Sequence, residues 1–341
     1  MTSSSRAPKG AKRRRPTAAD VAHRAGVSRA TVSYVLNNTP HQVIPETTRE
    51  RVRAAAADLG YTPSAAARAL IKGRSDVALL VLPDWPIGPT MGSLFERLSY
   101  ALGEHGLTFV THPRAAGRPL SDVWKAITPA IVVTFEDLGQ DEIDKLERAG
   151  IDYSVALFGD PRGDGRVMDI PQQQTGRLQA EHLAAAGHRT LGYAWPGDPR
   201  VSTLAEQRLN GVRRTCADLG LAEPNVAPVP LTLDGVAQAL HTWRTASPTV
   251  TAVCAYNDDI ALAICAGAQR QGLAVPHDLA VIGVDDLPAA SVASPTLTTV
   301  RFDTNALADY ITDSIVRRLE GRPAAKQPTV VGQSVICRES T

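Results

Sequence analysis

Polar side chains at the ends of apolar runs carry most of the chemistry in this 341-residue chain. Asn257 and Asp258 directly follow TVTAVCAY, and Asp285 and Asp286 directly follow LAVIGV. Short, continuous apolar runs of this kind read as buried parallel strands, and open α/β sheets bind ligands in the crevice beyond the carboxyl ends of their strands. Trp195 follows LGYA and Trp85 follows LLVLPD, so two flat apolar rings stand at the same kind of position. A ring there suits the C–H side of a sugar, although strand-end Trp also serves as lobe-interface packing. Near the other end, GVSRATVSYVLNNTP (26–40) forms a short helix. Val32, Val35 and Leu36 face inward by i, i+3 and i+4 spacing, leaving Arg29, Ala30, Ser33 and Tyr34 outward.

Chemistry of other kinds finds no support. The chain has no G-x-G-x-x-G, Walker loop or nucleophile elbow, no metal-ligand spacing, and no base beside a nucleophile. An enzyme reading would have to use Asp285, Asp286 and His188 in a sugar-processing cleft without these parts. We therefore expect neither catalysis nor a cofactor. The cysteines Cys216, Cys254, Cys265 and Cys337 are far apart, as expected of thiols in a reducing cytoplasm. No signal-peptide core follows the charged N-terminus and no apolar run is long enough to span a membrane, so a cytoplasmic location away from membranes is expected.

The elements that must position these residues fall into two sets. Residues 1–74 hold 14 Lys or Arg against 4 Asp or Glu, whereas the remainder holds 22 against 31. A basic head on an acidic body is expected when one segment meets a polyanion. Residues 1–16 are Ser-, Pro- and base-rich and read as a mobile arm. Thr17 caps a helix over 18–25, Gly26 stops it, and Ser28 caps the next, Arg29 to about Asn37. Together they form a helix-turn-helix unit, closed by a third helix from Pro45 to Gly60 through Val52, Ala55, Ala56 and Leu59. TPSAAARALIKGRS then has helix propensity without a core, so it should fold only against a partner. From Ser75 onward, apolar strands alternate with helices in two successive sets. That pattern predicts parallel sheets covered on both faces, in two lobes.

The blocks ADVAHRAGVSRATVSYVLN, PETTRERVRAAAADLGYTPSAAARAL, AEHLAAAGHR, RLNG, AYNDDIALA and VIGVDD, taken in order, resemble the lactose-repressor/galactose-repressor family of transcription factors over residues 17 to about 335. The resemblance implies an all-α helix-turn-helix headpiece (17–61) and a hinge helix (62–74), joined to an α/β two-lobed core like that of periplasmic binding proteins. The chain would cross between lobes three times, giving an N-terminal lobe of 75–171 plus 302–330 and a C-terminal lobe of 172–301 plus 331–341. An exported sugar-binding protein would share this core, but it would need a signal peptide and has no use for a basic helix-turn-helix.

On this resemblance the second helix lies in a DNA major groove. Arg29 would donate two bonds to a guanine and Ala30 would pack on a thymine methyl, with Ser33 and Tyr34 completing the base-reading set. Many family members carry Arg where Tyr34 stands. Thr17, Ser28, Thr31 and Asn37 would bind phosphates. In the hinge, Leu70 would wedge into the minor groove, with Ala67 allowing close approach and Arg68 meeting the backbone. Two headpieces imply a homodimer on a near-palindromic operator, and a small-molecule effector, sugar-like, would bind Arg208, Asn257, Asp285, Trp195 and Trp85. Where sugar-binding relatives place an aromatic ring near Asp234, this chain has Gly235, and Gln172 stands where an acidic residue is frequent.

Overall fold

A computed structural model of the chain describes residues 16–37, 42–62, 69, 74–114, 119–135, 138–157, 167–169, 172–323 and 332–341. They fall into two compact units, divided between Asp76 and Val77. Ala67, Arg68 and Leu70 lie outside the described residues, as does nearly all of the predicted arm.

The first unit is built by its caps. Helix α1 (Ala18–Ala25) opens on a capping box in which the Thr17 N–H and hydroxyl both donate to Asp20 Oδ2 at 2.7 Å. It closes at Gly26, whose φ of 65° lies in the left-handed region that favours glycine. Helix α2 (Arg29–Leu36) starts where the Ser28 hydroxyl accepts the Thr31 N–H, and α3 (Glu46–Leu59) ends at Gly60. Val21, Val32, Val35 and Val52 are all at most 3 % exposed and form the centre of a small core. Ala22, Ala25, Ala55 and Ala56 let the helices approach around them, and Leu36 and Leu59 cover the edge.

The second unit holds two sheets. The first has the order β2-β1-β3-β4-β5, from β1 (Val77–Leu82), β2 (Thr108–Pro113), β3 (Ile131–Thr134), β4 (Asp152–Leu157) and β5 (Val167–Asp169), all parallel. Helices α4 (Pro89–Glu104), α5 (Leu120–Ile127) and α6 (Gln140–Arg148) connect and cover them. The second has the order β11-β10-β9-β8-β6-β7. Its strands are β6 (Leu191–Pro196), β7 (Asn225–Val229), β8 (Ala252–Ala255), β9 (Ala280–Val284), β10 (Thr298–Phe302) and β11 (Gln333–Ile336). Its helices are α7 (Gln172–Ala185), α8 (Ser202–Asp218), α9 (Leu233–Thr245), α10 (Asp258–Arg270) and α11 (Pro288–Val292). The core strands β1, β3, β8 and β9 are buried along nearly their whole length, which is why they read as unbroken apolar runs.

Helix α12 (Thr304–Leu319) follows β10 in sequence but joins the core of the other sheet. Its Leu307, Ala308, Ile311 and Ile315 pack with Leu94, Leu98 and Leu102 of α4 and with Leu80 of β1. The chain then returns to pair Gln333 with Phe302. This makes β11 an antiparallel strand at the edge of an otherwise parallel sheet: β10 runs out toward the neighbouring lobe and β11 comes back beside it.

Helices α7 and α8 are packed backbone to backbone. A Cβ on Gly176 would lie 1.9 Å from the Arg208 carbonyl oxygen, and one on Gly211 would lie 2.0 Å from that of Gln173. Two glycines therefore set how closely the helix carrying Arg208 lies against the helix carrying Gln172.

Candidate functional site

The neighbouring strands β8 and β9 deliver the polar cluster. Asn257 caps α10, its Oδ1 accepting the Ile260 N–H at 3.1 Å, so its carbonyl is committed and its NH2 remains to donate. Asp285 follows β9 directly with φ at 109°. Its N–H donates to Val300 O at 2.9 Å, and its own carbonyl accepts from Thr90 of α4 at 3.5 Å, so the loop lies where the two lobes meet. Burial pushes the Asp285 carboxyl up to about 6, against the pull of Arg208 and with a further push from Asp259.

Arg208 projects from α8 and is 5 % exposed. Its Nε donates to Gln172 Oε1 at 3.1 Å and its Nη1 to Tyr256 O at 2.5 Å. The guanidinium lies 4.8 Å from the Tyr256 ring centroid and 6.0 Å from that of Phe302. Asp285 is an electrostatic neighbour of this cation, but among the described residues no carboxylate forms an ion pair with it. A buried cation held by a neutral amide, a carbonyl and two rings keeps donor capacity for something else. Arg208, Asn257 and Asp285 thus offer donors and an acceptor at one strand-end crevice, the set that vicinal hydroxyls require.

The two tryptophans are placed differently. Trp195 is half-buried, packs on two core clusters and meets Tyr193 at 6.5 Å. Trp85 packs against the cores of both lobes and stands 5.6 Å from Phe135. Beside Trp85, Asp84 meets Arg200 at 3.4 Å across the lobes. Gly235 lies in the first turn of α9, where a Cβ would approach Pro230 O to 2.8 Å, so this backbone is closed to an aromatic ring.

In the first unit, Arg29, Ala30 and Tyr34 are exposed on α2 and Ser33 is half-buried, its hydroxyl accepting from Asn37 at 3.1 Å. The Ser28 and Thr31 hydroxyls bond each other at 3.0 Å, and Thr17 is engaged by Asp20. Tyr256, Phe302 and the Gln172 carbonyl were missed as partners of Arg208. Tyr256 adjoins Asn257 and was legible from that position, whereas the other two reach the site through tertiary packing.

A solvent-facing polar recognition helix in a three-helix unit, followed by two α/β lobes with polar groups at their strand ends, defines a DNA-binding regulator with an appended ligand-sensing core. The family model for bacterial regulatory proteins of the lacI family matches residues 17–64, and that for a periplasmic binding protein-like domain matches residues 180–341. The chain thus carries a LacI-family helix-turn-helix domain and a periplasmic-binding-protein-like domain, and its relatives are LacI/GalR-family transcriptional regulators. It is 29 % identical to the HTH-type transcriptional regulator CelR of Thermobifida fusca, over 96 % of this chain and 99 % of that one. It is 27 % identical to GalR of Escherichia coli, over 95 % of each. Among solved structures, a CelR–cellobiose complex is 27 % identical with TM-score 0.66, covering 96 % of this chain and 100 % of that one. The lac repressor dimer bound to operator and an anti-inducer, 22 % identical with TM-score 0.78, covers 96 % and 99 % and shares the fold. Among the described residues, no helix is long and apolar enough to cross a membrane.

Proposed function

We propose that the chain is a repressor that binds a near-palindromic operator as a homodimer and answers to a sugar or sugar derivative held between its lobes. The observation that carries this reading is the buried Arg208, which has no carboxylate ion pair among the described residues, bonds the Tyr256 carbonyl beside Asn257 and acts electrostatically on Asp285. A guanidinium and an amide NH2 donate while a carboxylate accepts, which matches adjacent hydroxyls on a ring. Trp85 and Trp195 close the apolar side. Arg29, Ala30, Ser33 and Tyr34 choose the sequence, Thr17, Ser28, Thr31 and Asn37 hold phosphates, and Leu70 with Ala67 and Arg68 opens the minor groove. Effector binding changes the lobe arrangement and with it the affinity for DNA. The relative CelR in complex with cellobiose makes a disaccharide the first ligand to try.

The test is gel retardation on DNA upstream of the chain's own gene, with and without a panel of sugars and sugar phosphates, alongside a thermal-shift screen of the same panel. A retarded band whose strength changes with one sugar is expected. No retardation at low salt would refute the regulator mechanism, and no thermal response to any compound would refute the sugar effector.

A further inference from the structure

The loop that presents Asp285 is held by more charge than its length explains. Asp285 and Asp286 are consecutive non-glycine residues with φ at 109° and 51°, a backbone that L side chains rarely adopt. Asp286 Oδ2 accepts from Arg301 Nε at 2.6 Å, and its Oδ1 accepts from Arg338 Nη2 at 2.6 Å. Arg338 is anchored in turn by Nη1 donating to Leu297 O at 2.7 Å. The backbone is stapled residue by residue. Asp285 N–H goes to Val300 O, Asp286 N–H to Thr299 Oγ1 at 3.3 Å, and Leu287 N–H to Asp258 Oδ2 at 2.8 Å. Thr299 Oγ1 also donates to Asp258 Oδ1 at 2.6 Å, closing the network onto the start of α10.

Arg301 sits on β10 just before the chain leaves for α12, and Arg338 lies just past β11, the strand that returns. We propose that Asp286 is the positioning residue of the effector site: gripped by Arg301 and Arg338, it fixes the left-handed backbone that turns Asp285 toward Arg208, and ties that loop to both strands at the lobe crossing. The assignment of Asp285 as an effector contact rests on the function proposed above; the clamp itself does not need a ligand to be tested.

Each grip is a charge-assisted hydrogen bond, shorter and stronger than a neutral one. Burial works to raise the Asp286 carboxyl, but the bonds from Arg338 and Arg301 outweigh it and hold the group below the ordinary carboxylate range. The groups facing Asp285 are Arg208 from α8, Tyr256 after β8 and Asp258 and Asp259 from α10. Removing the positive charge of either clamp arginine would by itself raise a nearby carboxyl. A fall in the Asp285 midpoint on removing a clamp arginine therefore reports movement of the loop.

The experiment is a pH titration by NMR of the full chain labelled with 13C at the aspartate carboxyls, the Asp285 signal being assigned by its loss in Asp285→Asn. The midpoint in the parent chain is expected near about 6. In Arg338→Met it should fall toward the ordinary value of about 4, because the freed loop swings the carboxyl into water. Arg338→Lys, which keeps one charged donor, should hold it near the parent value. Arg301 is half-exposed, so Arg301→Met folds even if the others do not, and it too should lower the midpoint. Parent-like midpoints in the folded variants, whatever their melting temperatures, would overturn the proposal, as would a parent midpoint near 4. Failure of every sugar to bind would overturn the effector reading and leave the clamp to be judged on the titration.

Discussion

Gly176→Ala offers a test in which even the sign is informative. In an open helix the substitution should stabilise, because Ala exceeds Gly in helix propensity by about 1 kcal/mol. Here the new Cβ would stand 1.9 Å from Arg208 O and 2.9 Å from the Val212 N. Both are backbone atoms of α8 and cannot rotate away. The helices must part by about 1 Å to reach even the closest Cβ contacts that proteins tolerate. Overpacking costs about 1–3 kcal/mol, and a contact to backbone that cannot rotate away belongs in the upper part of that range, about 2–3, so a net loss of about 1–2 kcal/mol remains after the propensity gain. For a unit of this size that is a drop in Tm of roughly 2–8 °C. The same movement stretches the 3.1 Å bond from Arg208 Nε to Gln172, since the two residues lie on the parting helices. Calorimetry of the variant should therefore show a lower Tm together with a reduced thermal response to any sugar that stabilises the parent. Gly211→Ala, which would meet Gln173 O at 2.0 Å, should repeat the result from the other helix. A variant as stable as the parent or more so would refute the backbone-to-backbone account of α7 and α8.

Asp285→Asn should raise stability at pH 8 while removing the response to effector. The folded carboxyl titrates near about 6 and the unfolded one near about 4, so its stabilising contribution is present below pH 4 and lost as pH rises through 6. Partial exposure limits the gain to about 1–2 kcal/mol, and thermal melts at pH 4 and pH 8 should show it only at the higher pH. Arg29→Ala should cost about 1–3 kcal/mol of discrimination between the operator and a variant at the matching base pair, read by competition gel shift. Thr17→Ala should lower headpiece stability by about 1 kcal/mol through loss of the capping box, read by thermal melting, and should weaken gel-shift binding to operator and to nonspecific DNA alike.

Local signals made the first unit readable nearly to the residue. Thr17, Gly26, Ser28 and Gly60 set the helix ends because each supplies a donor, an acceptor or a left-handed backbone that its neighbours cannot. The α/β alternation was legible for the same reason: β1, β3, β8 and β9 are buried on both faces and carry apolar residues without interruption. Partners that meet only in three dimensions were not legible. Nothing near Arg338 announces that it reaches Asp286, 52 residues away. Nor does QQQTG reveal that Gln172 bonds Arg208 or that Gly176 must be Gly. Trp85 was read as a strand-end ring for either a ligand or lobe-interface packing, and it packs against the cores of both lobes, although no local pattern names its partners there.

The polar interior near the cleft is hard to explain by stability alone. Asp258 is fully buried, and burial raises its carboxyl to about 7 despite bonds from Thr299 and Leu287. Asp285 is raised as well, and Arg208 is buried without a carboxylate ion pair among the described residues. Each of these costs folding free energy that an apolar residue would not, since buried charge is repaid only by close, complete pairing. The arrangement is incomplete on one side only. Asp286, one residue away, is paired twice and sits below the ordinary carboxylate range. Adjacent carboxyls are thus driven in opposite directions, one saturated by the protein and one left with capacity to spare. That contrast is expected where the saturated group serves the framework and the other waits for a partner from solution. Among the described residues the Asp285 carboxylate has no ion pair, and it lies at the strand end facing the neighbouring lobe, where a bound ligand would add hydrogen bonds and favour the lobe arrangement that encloses it.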